Sequence, residues 1–283
     1  MATFQNYATL TYNGQTAVSN LVTGEITSGL RMTKTAIAET YVMGGSVTYA
    51  LSLINSDASE HDGLILNDDL GAYVFREEML APLRYVIGSA RCFVNGELQE
   101  SLTVTDGPPL RIEGLRIPAG GNMIILYQTE VTAFAPLCGN GKVQNTATLT
   151  GNGITEALTA VSVIAPECGV DLGISKAIEP AAVTDNGEIT YTFLITNRGS
   201  RATEETDNLS VRDHFDPILR EITVTLDGQL LTQEQYQYNA ADGLFTINPG
   251  VVQVPAAVFA QDPELGIWSV KPGTAVLTVS GKL

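Results

Sequence analysis

Phe4-Gln5-Asn6-Tyr7-Ala8-Thr9-Leu10-Thr11-Tyr12-Asn13-Gly14 returns in mid-chain as Val143-Gln144-Asn145-Thr146-Ala147-Thr148-Leu149-Thr150-Gly151-Asn152-Gly153, with eight of the eleven positions identical. Apolar and polar residues alternate with period two in both copies, so both read as strands. Outward from this pair, a longer repeat emerges. Leu30-Arg31-Met32-Thr33-Lys34 matches Leu172-Gly173-Ile174-Ser175-Lys176, and Gly45-Ser46-Val47-Thr48-Tyr49-Ala50-Leu51 matches Gly187-Glu188-Ile189-Thr190-Tyr191-Thr192-Phe193. Leu64 to Leu70 answers to Leu209 to Phe215, the turn dipeptide Asn95-Gly96 to Asp227-Gly228, and Pro118-Ala119-Gly120 to Lys271-Pro272-Gly273. After its Pro-Gly turn and strand the first copy continues into the Asn145 strand. No matching strand follows in the second copy before Leu283. The second repeat is therefore expected to lack its last strand, and a strand of the matching type lies at the other end of the sequence.

Short alternating segments punctuated by Gly, Pro and Asn turns predict an all-β chain of two tandem immunoglobulin-like β-sandwich domains, with about seven strands in a complete one. The expected division is an N-terminal extension over residues 1–24 carrying a donor strand (1–13), a first domain over 25–167, and a second over 168–283. Two stretches, Arg76 to Leu80 and Thr232 to Gln235, read as short helical turns. The 283 residues are 44% apolar, enough for two cores, and 31 acidic against 15 basic residues give a net charge of −16. That charge repels phosphate backbones and anionic headgroups, so nucleic acid is not an expected partner. No apolar run reaches the length of a membrane span, and the first residues show neither the basic start nor the apolar core of a signal peptide.

Strand parity places three polar residues of the first domain among core residues: Lys34 with Leu30 and Met32, Asn145 with Ala147 and Leu149, and Asp68 with Leu64, Leu66 and Leu70. In the second domain Lys176 and Asp213 repeat the pattern, and the matching asparagine is Asn6, supplied by a neighbour. A lysine, an asparagine and an acid in a dry core form the constellation of a self-made isopeptide bond. Burial strips the lysine of its proton and keeps the acid protonated to polarise the amide as ammonia leaves. The alternative is a buried Lys–Asp ion pair hydrogen-bonded to the Asn amide, or a long lysine stem carrying its amine to solvent.

A sandwich short of one strand leaves a sheet edge unpaired and an apolar slot open. Phe4, Asn6, Ala8, Leu10 and Tyr12 share one face of the N-terminal strand and suit that slot. The link from Gly14 to Leu30 extends to about 50 Å at ~3.3 Å per residue, which permits closure within one chain only for a folded-back pair of domains. Donation to an adjacent copy is heterologous and makes a filament or a ring. The expected partners are identical subunits, head to tail. The rival reading is a monomeric cell-surface adhesin or binding module whose N-terminal strand closes its own chain.

The matched residues also resemble the prokaryotic conserved-repeat domain once called domain of unknown function eleven. The likeness lies in the Lys34 and Lys176 strands, the Tyr49 and Tyr191 strands, the acids Asp68 and Asp213, the Pro-Gly turns and the closing Asn145-Thr146-Ala147-Thr148-Leu149. It implies an immunoglobulin-like fold, a structural role on a bacterial or archaeal cell or spore surface, and no catalysis. The chain departs from that pattern in showing no secretion signal or wall-sorting tail and in carrying the last strand at its front.

Other residues carry less. Cys138 and Cys168 sit in similar Ala-Pro settings and read either as a disulfide, which needs an oxidising compartment, or as two free thiols. Cys92 reads as a strand residue. His61 and His214 lie in no nucleophile motif, and no zinc or phosphate-binding signature occurs, so no enzyme, metal or cofactor is expected. Asp57, Glu60, Asp62, Asp68 and Asp69, like Glu204, Glu205 and Asp207, read as solvated acids without calcium-loop spacing. Trp268 reads as a core aromatic or an interface anchor.

Overall fold

The computed structural model describes residues 2–26, 29–100, 102–184 and 186–283. Met1, the first residue of the expected donor segment, lies outside them. The described chain is all-β apart from one 3-10 turn, Glu205–Asp207, and is built of immunoglobulin-like sandwiches. It divides into two compact units: residues 1–136 with 140–166, and residues 137–139 with 167–283. The N-terminal extension groups with the first unit.

Two six-stranded sheets form the first unit. One runs Glu97–Leu98, Arg91–Val94, Asn122–Val131, Ser46–Asn55, Leu30–Ala36, with Leu83–Tyr85 also paired to Asn122–Val131. The other runs Thr103–Thr105, Leu110–Ile117, His61–Asp68, Val143–Thr150, Leu158–Pro166, Thr40–Tyr41. Every second residue of Ser46–Asn55, Asn122–Val131 and Val143–Thr150 is buried. That period-two alternation brings Tyr49, Leu51, Leu66, Ile125 and Leu149 into one core between the sheets. The strand count exceeds the seven expected because short edge strands are added to both sheets.

The second unit repeats the first sheet as Leu172–Glu179, Glu188–Asn197, Gly273–Lys282, Arg220–Leu226, Gln229–Leu230. Its second sheet is only Tyr236–Asn239, Leu244–Ile247 and Arg212–His214. These correspond to Thr103–Thr105, Leu110–Ile117 and His61–Asp68, and among the described residues nothing pairs with the far edge of Arg212–His214. Tyr191 stacks on Phe215, which meets Phe245 at a tilt, and this aromatic group sits among the aliphatic side chains that make up most of the second core.

Asn95-Gly96 and Asp227-Gly228 form two-residue hairpin turns with positive φ at both positions, the geometry that a right-twisted hairpin requires. The two expected helical turns are absent. Arg76 and Glu77 make the turn of a hairpin between Tyr73–Phe75 and Glu78–Leu80, with Arg76 left-handed. Thr232 to Gln235 is a single turn closed by the Gln235 amide on the Thr232 carbonyl. Three polar residues in five at Arg76 to Leu80, and four in four at Thr232 to Gln235, give no apolar period to extend either into a helix.

The N-terminal extension is a hairpin rather than one free strand. Thr9–Tyr12 pairs with Gln15–Val18 around an Asn13-Gly14 turn, and Ala2–Asn6 pairs with Val22–Ile26. Between the pairs Asn6↔Val22 and Thr9↔Val18, two residues on one strand face three on the other. The extra residue of this bulge lies on the returning strand, among Ser19, Asn20 and Leu21, and it offsets the register of the two halves of the hairpin, one carrying Phe4 and Asn6, the other Leu10 and Tyr12. Phe4, Asn6, Ala8, Leu10 and Tyr12 are all exposed.

Candidate functional site

In the first unit the Leu30–Ala36 strand alternates inward and outward, which turns Lys34 into the core. Its amine donates to Asp68 Oδ2 at 2.5 Å, and both side chains are fully buried. The lysine stem therefore does not reach solvent, and Asp68 belongs to the core, not to the acidic surface. Asp68 closes the His61–Asp68 strand, and its register partner on the next strand is Ala147. Asn145 lies two residues from Ala147, on the same inward face, and is wholly buried.

Asp68 is well provided with donors. Besides Lys34, the Tyr127 hydroxyl donates to Oδ2 at 2.5 Å and the Leu70 amide to Oδ1 at 3.1 Å. Burial outweighs the Asp68 carboxylate and holds the Lys34 amine below the usual lysine range, while burial and the same carboxylate push the Tyr127 phenol up. The Lys34 amine also lies 5.0 Å from the centroid of the Tyr49 ring, which stacks on Tyr127. The Asn145 amide meets hydrogen-bond geometry through neither Nδ2 nor Oδ1, nor does the Tyr49 hydroxyl, although the Tyr49 and Tyr127 phenols lie near enough to interact with that amide. Each buried polar group left unpaired costs about 1–3 kcal/mol. The site thus holds an ion pair without the amide hydrogen bond that a purely structural triad would include.

The second unit holds the same parts in a different state. Lys176 contacts the Asp213 carboxylate and lies 4.3 Å from the Tyr191 ring centroid. Its side chain is 40% exposed. In the first unit Leu30 is 2% exposed and Met32 is half-buried against the core, whereas their counterparts Leu172 and Ile174 are 41% and 59% exposed. Every residue of Leu172–Glu179 is exposed, because the strands that cover its counterpart are lacking among the described residues. Asn6, the expected third member, lies exposed in the N-terminal hairpin.

Three features escaped the sequence reading. Tyr127 and Tyr49 line the lysine site, and the shared Thr-Tyr of the two repeats was a signal for Tyr49. Asn55 and Asn197 end the matched strands, each clamping two loop carbonyls: Ser59 and Pro118 at 2.8 and 2.9 Å, Arg201 and Pro255 at 2.7 and 3.1 Å. Their equal spacing from Gly45 and Gly187 was legible.

The remaining candidates are placed as follows. Cys138 and Cys168 form a disulfide with Cα atoms 5.7 Å apart at a sequence separation of 30, a loop closure worth about 3.5 kcal/mol on the chain-entropy account. Cys92 is buried and its thiol is pushed up to about 11, too weakly ionised near neutrality to act as a nucleophile. His61 pairs with Asp57 at 2.9 Å. His214 lies in the Arg212–His214 edge strand and Trp268 is half-buried in a hairpin, not in the core. Among the described residues no cluster of acids, histidines and cysteines is arranged to hold a metal, and no helix is long and apolar enough to cross a membrane.

No family model and no curated protein matches the chain. Among solved structures it is similar to the pilus backbone protein RrgB of Streptococcus pneumoniae, at 11% identity and a TM-score of 0.37 over 86% of this chain and 55% of that one. A variant of BcpA, the major pilin subunit of Bacillus cereus, gives 11% and 0.39 over 87% and 65%. The major pilin SpaD of Corynebacterium diphtheriae gives 11% and 0.37 over 86% and 59%. The chain spans 55% to 65% of the length of these three pilins. At TM-scores below 0.5 such likenesses carry no argument about function, which has to come from the site itself.

Proposed function

We propose that this chain is a structural, non-catalytic subunit of an extracellular or spore-surface filament. Its N-terminal strand enters the open side of the second unit in the next copy, head to tail. The observation that carries this reading is the exposed core face of the second unit, beside an unpaired edge at Arg212–His214. The strand that fills the same place in the first unit, Val143–Thr150, is the one the N-terminus repeats. Burying a large apolar side chain there contributes about 1.5–3 kcal/mol before ordering costs. The disulfide supports an oxidising location. Negative-stain electron microscopy of the full chain beside a variant lacking residues 1–13 tests the proposal. Filaments that vanish with the deletion are expected; single particles in both samples would leave the adhesin reading.

The Lys34 site supports a covalent lock as part of the same function. The neutral Lys34 amine attacks Asn145 Cγ, Asp68 passes a proton from the amine to Nδ2, and the C–N bond to Nδ2 breaks. The products are an Nζ–Cγ amide and one ammonia, with Asp68 returned unchanged and no outside reactant needed. The orphaned Asn145 amide supports this reading over a permanent ion pair, since reaction removes its unpaired Nδ2 from the core. Lys176, Asp213 and the neighbour's Asn6 would do the same across the subunit joint. Intact mass of the full chain is expected to be lower than that of its sequence by one ammonia per bond. Asn145→Ala should abolish the loss in the first unit; a wild-type mass equal to that of the sequence would leave an ion pair there.

A further inference from the structure

A single donated strand would not close the second unit. In the first unit Val143–Thr150 pairs with His61–Asp68, but the strand lying over Leu30–Ala36 is the next one, Leu158–Pro166. Its inward residues Ala160, Ser162 and Ile164 are buried, and Ser162 Oγ accepts the Ala36 amide at 3.0 Å. A lone copy of Val143–Thr150 would pair Arg212–His214 and leave Ile174 and Ile178, 59% and 45% exposed, still facing water.

The N-terminal hairpin carries the second strand as well. Thr16-Ala17-Val18-Ser19 is identical to Thr159-Ala160-Val161-Ser162, and each follows its copy of the longer repeat. The extension is thus a second version of the whole Val143 to Pro166 hairpin, with the connecting loop cut to the Asn13-Gly14 turn. In the free hairpin Leu10 pairs with Ala17, whereas by correspondence with Ala147↔Ala160 the closed sandwich would pair Ala8 with Ala17. The difference is two residues in the Thr9–Tyr12 half, where a shift of two keeps every side chain on its own face, and three in the Ala2–Asn6 half, where closing the sandwich also removes the bulge. Ala17, Ser19 and Leu21, the counterparts of the buried face of Leu158–Pro166, are all exposed, as are Phe4 and Leu10. A two-stranded hairpin with no sheet or helix against it is marginal in water, and among the described residues no other strand pairs with this one, so it has a face to bury.

Resting on the strand-donation reading above, we propose that the donor is the complete N-terminal hairpin, residues 4–24, and that its acceptor is the second unit of another copy of this chain. The first strand pairs with Arg212–His214 and the second lies over Leu172–Glu179, with Ser19 taking the place of Ser162 against the Ile178 amide. A second copy is favoured over self-closure by the tether. Once residues up to Gly24 are committed to the hairpin, only six residue steps separate it from Leu30, a reach of about 20 Å. Self-closure would require the open edge to lie within that distance of Leu30; a copy arriving from solution meets no such condition.

Two cysteine pairs in the full chain separate the possibilities. Thr9→Cys with Arg212→Cys reports the first strand, since their counterparts Thr148 and Asn67 are register partners. Ser19→Cys with Ile178→Cys reports the second. After mild oxidation, both variants are expected to give a ladder of covalent oligomers on non-reducing gels, and each single-cysteine parent is expected to give no ladder beyond a dimer. A ladder from the Thr9 pair alone would overturn the hairpin donor while leaving single-strand donation standing. Rapid internal closure without a ladder would overturn the second copy as acceptor. Absence of any crosslink from either pair would overturn both the hairpin and the strand-donation reading.

Discussion

Asp68→Ala is expected to destabilise the first unit by about 3–5 kcal/mol, the usual cost of removing one partner from a buried ion pair. The carboxylate accepts from the Lys34 amine, the Tyr127 hydroxyl and the Leu70 amide, and alanine leaves all three donors in a core that water does not reach. Against a typical total of about 5–15 kcal/mol for a domain, that loss takes a large share of the stability. It should be confined to one unit. Trp268 is the sole tryptophan and lies in the second unit, so its fluorescence follows that unit, while the tyrosine signal is shared by Tyr49 and Tyr127 of the first unit and Tyr191 and Tyr236 of the second, and the first unit is read as the part that moves apart from the tryptophan transition. In urea the tyrosine transition should move to lower denaturant with the tryptophan transition nearly unchanged. Measured against unreacted chain, adding Lys34→Met should recover most of the loss, because an apolar pair of similar volume has no charge to strand, though no cross-link can then form. A loss below about 1 kcal/mol for Asp68→Ala would mean that the carboxylate is solvated.

The depressed Lys34 pKa has its own consequence. A lysine whose folded pKa lies below its unfolded one is a group the unfolded chain protonates more readily. Between those two values stability therefore rises with pH, and below the folded value the penalty is present in full. The neutral amine that relieves the penalty is also the form that attacks an amide, so the same burial that destabilises the unreacted site prepares the reaction.

Much of this was legible in the sequence, for a physical reason. Strand parity is strict, so Leu30, Met32 and Lys34 had to share a face, as did Leu64, Leu66 and Asp68. Internal repetition then supplied what parity lacks, namely which strands face each other: two Lys–Asp pairs at matching positions are hard to reconcile with surface placement. Parity has no means of reporting pairing partners, and here the reading fell short. Residues 15–26 hold few large apolar side chains and were taken as a link, although Asn13-Gly14 carries the same turn chemistry as Asn95-Gly96. Tyr127 was hidden for a related reason. Its counterpart across from Tyr191 is Val279, so the repeat did not mark it.

Asp213→Ala, the same substitution in the second unit, should behave differently in the free chain and in the assembly. In the free chain Lys176 is 40% exposed, so its amine can rehydrate when the carboxylate goes, and the cost should stay within about 1 kcal/mol. Once a donor covers Leu172–Glu179, the lysine is shut in the way Lys34 is, and an unpaired cation there costs about 3–5 kcal/mol. That difference falls entirely on the joint. It corresponds to roughly a thirtyfold to a few thousandfold weaker association per subunit, since about 1.4 kcal/mol is a factor of ten. Sedimentation of assembled material over a concentration series should show the critical concentration rising by that factor, while the tryptophan-detected urea midpoint of unassembled chain barely moves. Lys176→Met in the Asp213→Ala background should bring assembly back by removing the stranded charge, though no cross-link can then form. Destabilisation of the free chain as severe as that from Asp68→Ala would show that Lys176 is already enclosed within its own molecule, and assembly through this face would then have nothing left to bury.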